Sequence, residues 1–161
     1  ARIQLRNVAA DGNCGVWALL QALYPEQKFI RPTYFQKQDM QRFRAKAANY
    51  VPPLKLPQAQ NPTGLRISMS AFCSSDLDHW LYTDDFRYFA QALGRPIGII
   101  VYGDGYRIYE PNGNEIVYDN MLMFRMYLNQ HPGMPILCLA GNHYQAVTAI
   151  EDQSLLTLPK K

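Results

Sequence analysis

No apolar run in the 161 residues approaches the ~18 needed to span a bilayer, and no signal-peptide pattern opens the chain. Neither a membrane segment nor a secretory leader is expected. There is no basic block beyond the terminal Lys160-Lys161. The net charge of +3 is scattered along the chain, so a nucleic-acid partner, which would ask for a basic stripe, is not expected. Cysteine is scarce. Cys14, Cys73 and Cys138 cannot all pair internally, and no two stand at zinc-knuckle spacing, so no disulfide framework, metal or cofactor site is expected. This usage suits a reducing compartment, the cytoplasm. Nor is there an internal repeat. Charged residues make up only 18% of the chain against 48% hydrophobic, a balance that excludes disorder and suits a packed core.

What is present reads as one domain over residues 1–161. It begins with Ala rather than Met, and is expected to be excised from a longer protein. Alternation over "I-Q-L-R-N-V" (residues 3–8) predicts a strand, and "A-A-D-G-N" a turn. From Cys14, the residues Val16, Leu19, Leu20 and Leu23 fall on one helical face that ends before Pro25, with Asn13 placed as N-cap. A second helix is predicted from Asp39 to Tyr50, and a proline-rich loop over residues 51–64. A third helix follows, with Thr83 as cap and Phe86, Phe89, Ala90 and Leu93 as its buried stripe, ended by Gly94 and Pro96. Then the period changes. "I-G-I-I-V-Y" suits a sheet centre, and "G-D-G" and "P-N-G-N" turn it into two further strands. Residues 121–129 are ambiguous between helix and strand. "P-I-L-C-L-A" and "Y-Q-A-V-T-A-I" are strands joined by "G-N-H". Helices first and hairpins after predict an α+β fold with a small mixed or antiparallel sheet.

Two readings of Cys14 stand side by side. A cysteine opening a buried helix can be plain core. It can equally be a nucleophile, because a helix N-terminus offers partial positive charge and free N–H groups that lower a thiol pKa. Gly12 relaxes the turn before it, so that backbone N–H groups could converge on an oxyanion. Cys138, inside an apolar run, reads as a buried strand residue, and Cys73 as a loop margin. A nucleophile needs a base. His79 lies in a polar loop and His131 in the turn "N-Q-H-P-G", whereas His143 opens a strand at the end of the apolar run, from where it could face a helix N-terminus.

In order along the chain, "D-G-N-C" opening a helix, "H-W" ahead of a helix leading into "P-I-G-I-I-V-Y", and "G-N-H-Y-Q-A-V" resemble the ovarian-tumour (OTU) family of cysteine proteases, most of them deubiquitinases. The resemblance covers residues 4 to 150. It implies a papain-like OTU fold with the catalytic cysteine at a helix N-terminus, and hydrolysis of the (iso)peptide bond at the C-terminus of ubiquitin or polyubiquitin. Cys14 would be the nucleophile, its pKa drawn down by His143, the general base. Asp11 would lie in a loop whose backbone helps form the oxyanion hole with the Cys14 N–H, and Tyr144 matches the aromatic residue that follows the histidine. Residues 25–62 would be a variable, helical and proline-rich ubiquitin-binding segment, and residues 62–82 a variable loop. Acidic residues among Asp76, Asp78, Asp84 and Asp85 would meet arginines of the ubiquitin tail, although for Asp84 and Asp85 first-turn helix charges are an equal reading.

Two departures stand out. Gly15 follows the cysteine where the family usually has a large apolar residue. Gln145 stands where the third catalytic residue is usually Asp, Asn or Glu. Gln145 and Asn7 are both candidates to orient His143, since an amide oxygen can accept from an imidazole N–H. The departures suit a divergent branch, such as a bacterial or viral effector acting in host cytosol. A catalytically impaired ubiquitin-binding module and a cysteine peptidase on another substrate remain the alternatives.

Overall fold

The computed structural model describes residues 2–51 and 81–151. The proline-rich stretch from residue 52, Cys73, His79, Asp76 and Asp78 lie outside them. In chain order the elements are β1 (Arg2–Arg6), α1 (Cys14–Leu23), α2 (Tyr34–Ala48), a 3₁₀ turn (Thr83–Asp85) running into α3 (Phe86–Leu93), then β2 (Ile97–Val101), β3 (Tyr106–Tyr109), β4 (Glu115–Tyr118), α4 (Met121–Gln130), β5 (Ile136–Ala140) and β6 (His143–Glu151). The six strands form one mixed sheet in the order β1-β6-β5-β2-β3-β4, in which only β2 and β5 pair in parallel. This is the α+β architecture expected, with the β-branched run of β2 at the sheet centre.

The period-2 rule divides the strands between two cores. Ile97 and Ile99 of β2 face the layer formed by α1, α2 and α3, where Trp17, Leu19, Phe86, Phe89 and Leu137 are at most 1% exposed. Ile100 faces α4, with Phe124, Ile108 and Ile136. Burying one such side chain contributes roughly 1.5–3 kcal/mol of transfer free energy, so the pattern fixes which face each strand presents. Gly98 lies between Ile97 and Ile99 because Phe124 fills the space: a Cβ there would stand 2.8 Å from its ring.

Helix α1 has the expected bounds. Helix α2 begins at Tyr34, five residues before the expected Asp39. Thr33 and Gln36 form a capping box, the Thr33 hydroxyl accepting from the Gln36 N–H at 3.1 Å and the Gln36 side chain accepting from the Thr33 N–H at 3.0 Å. Tyr34 and Phe35 in its first turn are exposed and break the apolar period that would have marked the start. Thr83 is not the cap of the third helix. It opens the preceding 3₁₀ turn, whose N-cap is Tyr82, the Tyr82 N–H donating to the Asp85 carboxylate at 2.9 Å, and the N-cap of α3 itself is Asp85. The ambiguous run after residue 120 is helical: Asn120 caps it, Phe124 and Tyr127 reach the core, and Leu122, Met123 and Met126 remain outside.

One irregularity bears on the site. Gln4 pairs with Ala149 but Leu5 pairs with Val147, so Thr148 is an extra residue in β6. Its hydroxyl donates to the Gln4 carbonyl at 3.3 Å.

Candidate active site

Cys14 is the first residue of α1 and 4% exposed. Its thiol donates to the Asn142 carbonyl at 3.9 Å, which sets the sulfur against the backbone just ahead of His143. The 129 residues that separate Cys14 from His143 in sequence are closed by the packing of α1 against β6. Gly15 permits that packing. A Cβ on it would stand 3.0 Å from the Phe86 ring and 3.2 Å from the Tyr144 ring. A larger residue after the cysteine would therefore collide with aromatic rings already in place, and this accounts for the glycine. Tyr144 itself is buried, packs on Phe86 at 5.2 Å between centroids, and donates to the Leu81 carbonyl at 3.1 Å.

Of the two amide candidates beside the histidine, Asn7 makes the contact: its Oδ1 lies 2.8 Å from His143 Nε2. The same oxygen accepts from the Val8 N–H at 3.0 Å, which fixes which end of the amide points at the ring. Facing an acceptor, Nε2 carries the proton, so in the neutral ring Nδ1 keeps its lone pair free to take one. The Thr148 bulge explains the choice. Continued past Arg6–Ala146, the register sets Asn7 opposite Gln145, on the face of β6 that carries His143. Were Thr148 paired in the ladder instead of bulged, Asn7 would fall opposite Ala146, on the face of buried Tyr144.

The loop before Cys14 is bonded to itself. The Asp11 carboxylate accepts from the Asn13 N–H at 2.8 Å and from the Trp17 indole N–H at 3.3 Å, while the Asp11 carbonyl accepts from the Cys14 N–H at 3.1 Å. Asn13 occupies the N-cap position, but its side chain does not cap. It accepts from Arg44 of α2 at 3.1 Å. Two expectations change here. The Cys14 N–H, expected to help hold an oxyanion, is spent within the loop in this arrangement. The Cys14 thiol is pushed up from its ordinary value, not drawn down. Burial is the main cause and the Asp11 charge adds to it, outweighing the backbone amides of Tyr144, Gly15 and Cys14 that pull the other way.

A groove of about 620 Å³ opens beside Asn142 and Tyr144, with Asp84, Asp85 and Asp104 along its wall. Burial, and then the neighbouring Asp85 charge, push the Asp84 carboxyl above its ordinary value. Cys138 is buried in β5, and its thiol too is pushed up by burial. His131 ends α4, stacked on Tyr127 at 4.1 Å between ring centroids.

As a sequence, the chain matches no protein-family profile and no curated protein. As a structure, it aligns with an OTU deubiquitinase from Wolbachia pipientis wMel over 96% of this chain and 94% of that one, with a TM-score of 0.59 at 11% identity. The chain has an OTU-like fold. The Hazara virus OTU, in a structure bound to ubiquitin, aligns over 93% of this chain and 83% of that one, with a TM-score of 0.51 at 20% identity. Across this OTU-like fold, the cysteine loop, the histidine at the start of β6 and the Asn7 contact lie at one end of the sheet.

Proposed function

We propose that this chain is a cysteine-type deubiquitinase, with Cys14 as nucleophile, His143 as general base and Asn7 orienting the imidazole. The observation that carries the reading is the Asn7 oxygen held by Val8 and facing His143 Nε2, which leaves Nδ1 as a base, while Cys14 opens α1 with its thiol on the Asn142 carbonyl just ahead of that histidine. The similarity in fold to an OTU deubiquitinase, and to an OTU seen bound to ubiquitin, supports ubiquitin as the partner.

The raised thiol pKa favours a protonated Cys14 at rest rather than a preformed thiolate. Proton transfer to His143 then accompanies attack on the carbonyl carbon of the ubiquitin C-terminus. The Cys14 N–H must leave the Asp11 carbonyl to meet the developing oxyanion, with Gly12 supplying the backbone freedom between them. His143 returns its proton to the leaving lysine amine. Water then resolves the thioester with the same histidine as base. The groove beside Asn142 and Tyr144 carries Asp84, Asp85 and Asp104, the last paired with Arg107 at 3.1 Å, and its carboxylates support the reading of a basic, extended tail there.

The test is labelling with ubiquitin bearing a C-terminal electrophile. Covalent adduct formation, lost in Cys14→Ala and in His143→Ala, is expected. The buried neutral thiol and the occupied Cys14 N–H favour one second reading, a ubiquitin-binding module without turnover. Tight binding without adduct would establish that reading, and neither binding nor adduct would exclude ubiquitin altogether.

A further inference from the structure

We infer that Arg44 is a positioning residue for the nucleophile loop, acting on Cys14 through the side chain of Asn13. The inference rests on the reading of Cys14 as nucleophile but extends the site to a helix that carries none of the reacting groups. Arg44 is 0% exposed, alongside Met40, Ala47 and Ala48 on the inner face of α2. Removing a guanidinium from water is costly, and an apolar side chain of similar volume at such a position is often neutral or better for stability. The geometry gives the cation a specific task. Its Nη1 donates to Asn13 Oδ1 at 3.1 Å across 31 residues of sequence.

Asn13, itself only 7% exposed, is held through its N–H, its carbonyl and its side chain. Its N–H is bonded to the Asp11 carboxylate at 2.8 Å, its carbonyl accepts from the Trp17 N–H at 3.0 Å, and its side chain accepts from Arg44. The peptide group joining Asn13 to Cys14 carries the N–H that the oxyanion requires. A helix N-cap normally turns its side chain back to its own helix. Here that side chain is given to α2 instead, so the placement of α2 is transmitted to the residue immediately before the nucleophile. Arginine suits the task because its planar fork holds several donors in fixed directions, whereas a lysine ammonium has no preferred plane.

The experiment uses the full chain with Arg44→Met, Arg44→Lys and Asn13→Ala. Two readings are taken: amide hydrogen exchange at residues 11–15, and steady-state kinetics on ubiquitin carrying a fluorogenic C-terminal amide. Loss of a buried hydrogen bond from a charged donor predicts about tenfold faster exchange at Asn13 and Cys14 in Arg44→Met and Asn13→Ala, with kcat lowered about tenfold and KM unchanged. Arg44→Lys recovers part of both. If Arg44→Met does not fold, Asn13→Ala carries the same expectation. Unchanged exchange overturns the inference. Faster exchange with unchanged kcat overturns it as well, reducing Arg44 to a packing residue. A wild-type chain that does not turn over the ubiquitin substrate removes the deubiquitinase reading, while the exchange measurement still decides whether Arg44 anchors the loop.

Discussion

Replacing Asn7 with alanine removes the oxygen that lies 2.8 Å from His143 Nε2 and leaves the rest of the site in place. During catalysis the ring becomes an imidazolium, so the lost contact is to a charged donor, worth about 1.5–3 kcal/mol or roughly 10- to 100-fold in rate. Asn7 is exposed, and water replaces part of what it supplied. The expected loss is therefore at the lower end, about tenfold in kcat/KM. Gln145→Ala, which removes no contact to the ring, is expected to cost about 0.5 kcal/mol or less. Asn7→Asp sets a carboxylate against Nε2, which favours the imidazolium, the form that cannot act as base, and so moves the acidic limb of the kcat/KM profile upward. Initial rates with a fluorogenic ubiquitin amide across pH measure all three variants, and thermal unfolding confirms equal folding. A larger loss in Gln145→Ala than in Asn7→Ala, or an acidic limb unmoved by Asn7→Asp, would refute the assignment of Asn7 as the orienting residue.

Because burial raises the Cys14 pKa, iodoacetamide should alkylate it slowly at neutral pH in the free protein, with the rate climbing at pH above the ordinary thiol range. Mass spectrometry of the Cys14 peptide measures this, and a plateau below pH 7 would contradict the neutral resting thiol. The same raised pKa favours the folded state below the pKa of the unfolded thiol, and that contribution is lost as pH rises through the folded value. Gly15→Ala places a methyl 3.0 Å from the Phe86 ring, and should destabilise by about 1–3 kcal/mol in urea unfolding. Reversing Asp84 and Asp104 together should slow adduct formation with the ubiquitin probe while leaving iodoacetamide labelling of Cys14 unchanged. Equal probe labelling would remove the groove from the substrate path.

How much could be read beforehand depends on how local the determinant is. The bounds of α1 follow from the spacing of Val16, Leu19, Leu20 and Leu23 and from Pro25, all within one window. Helix α2 began early because its start is written in the pair Thr33 and Gln36, while the exposed Tyr34 and Phe35 obscure its apolar period. The pairing of His143 with Asn7 rather than Gln145 depends on the bulging of Thr148 in the partner strand, and no pattern within either strand announces it. The direction of the Cys14 pKa is not legible in sequence, because the helix terminus is visible there, whereas the depth of burial that outweighs it is a property of the packed site. Arg44 reads as one polar residue in a polar helix until α2 is set against the cysteine loop.

β1 lies at the edge of the sheet, paired on one side only, with four of its five residues exposed. Segments of this kind open by themselves, well below the free energy at which a whole domain melts. Asn7 follows directly on that strand, so the histidine depends for its orientation on an exposed edge of the sheet. Heating should therefore switch the chemistry off by fraying β1 away from β6 while the helical layer over the sheet is still folded. Activity and helical circular dichroism would then be lost in two separate transitions, and a cross-link between β1 and β6 would bring them together.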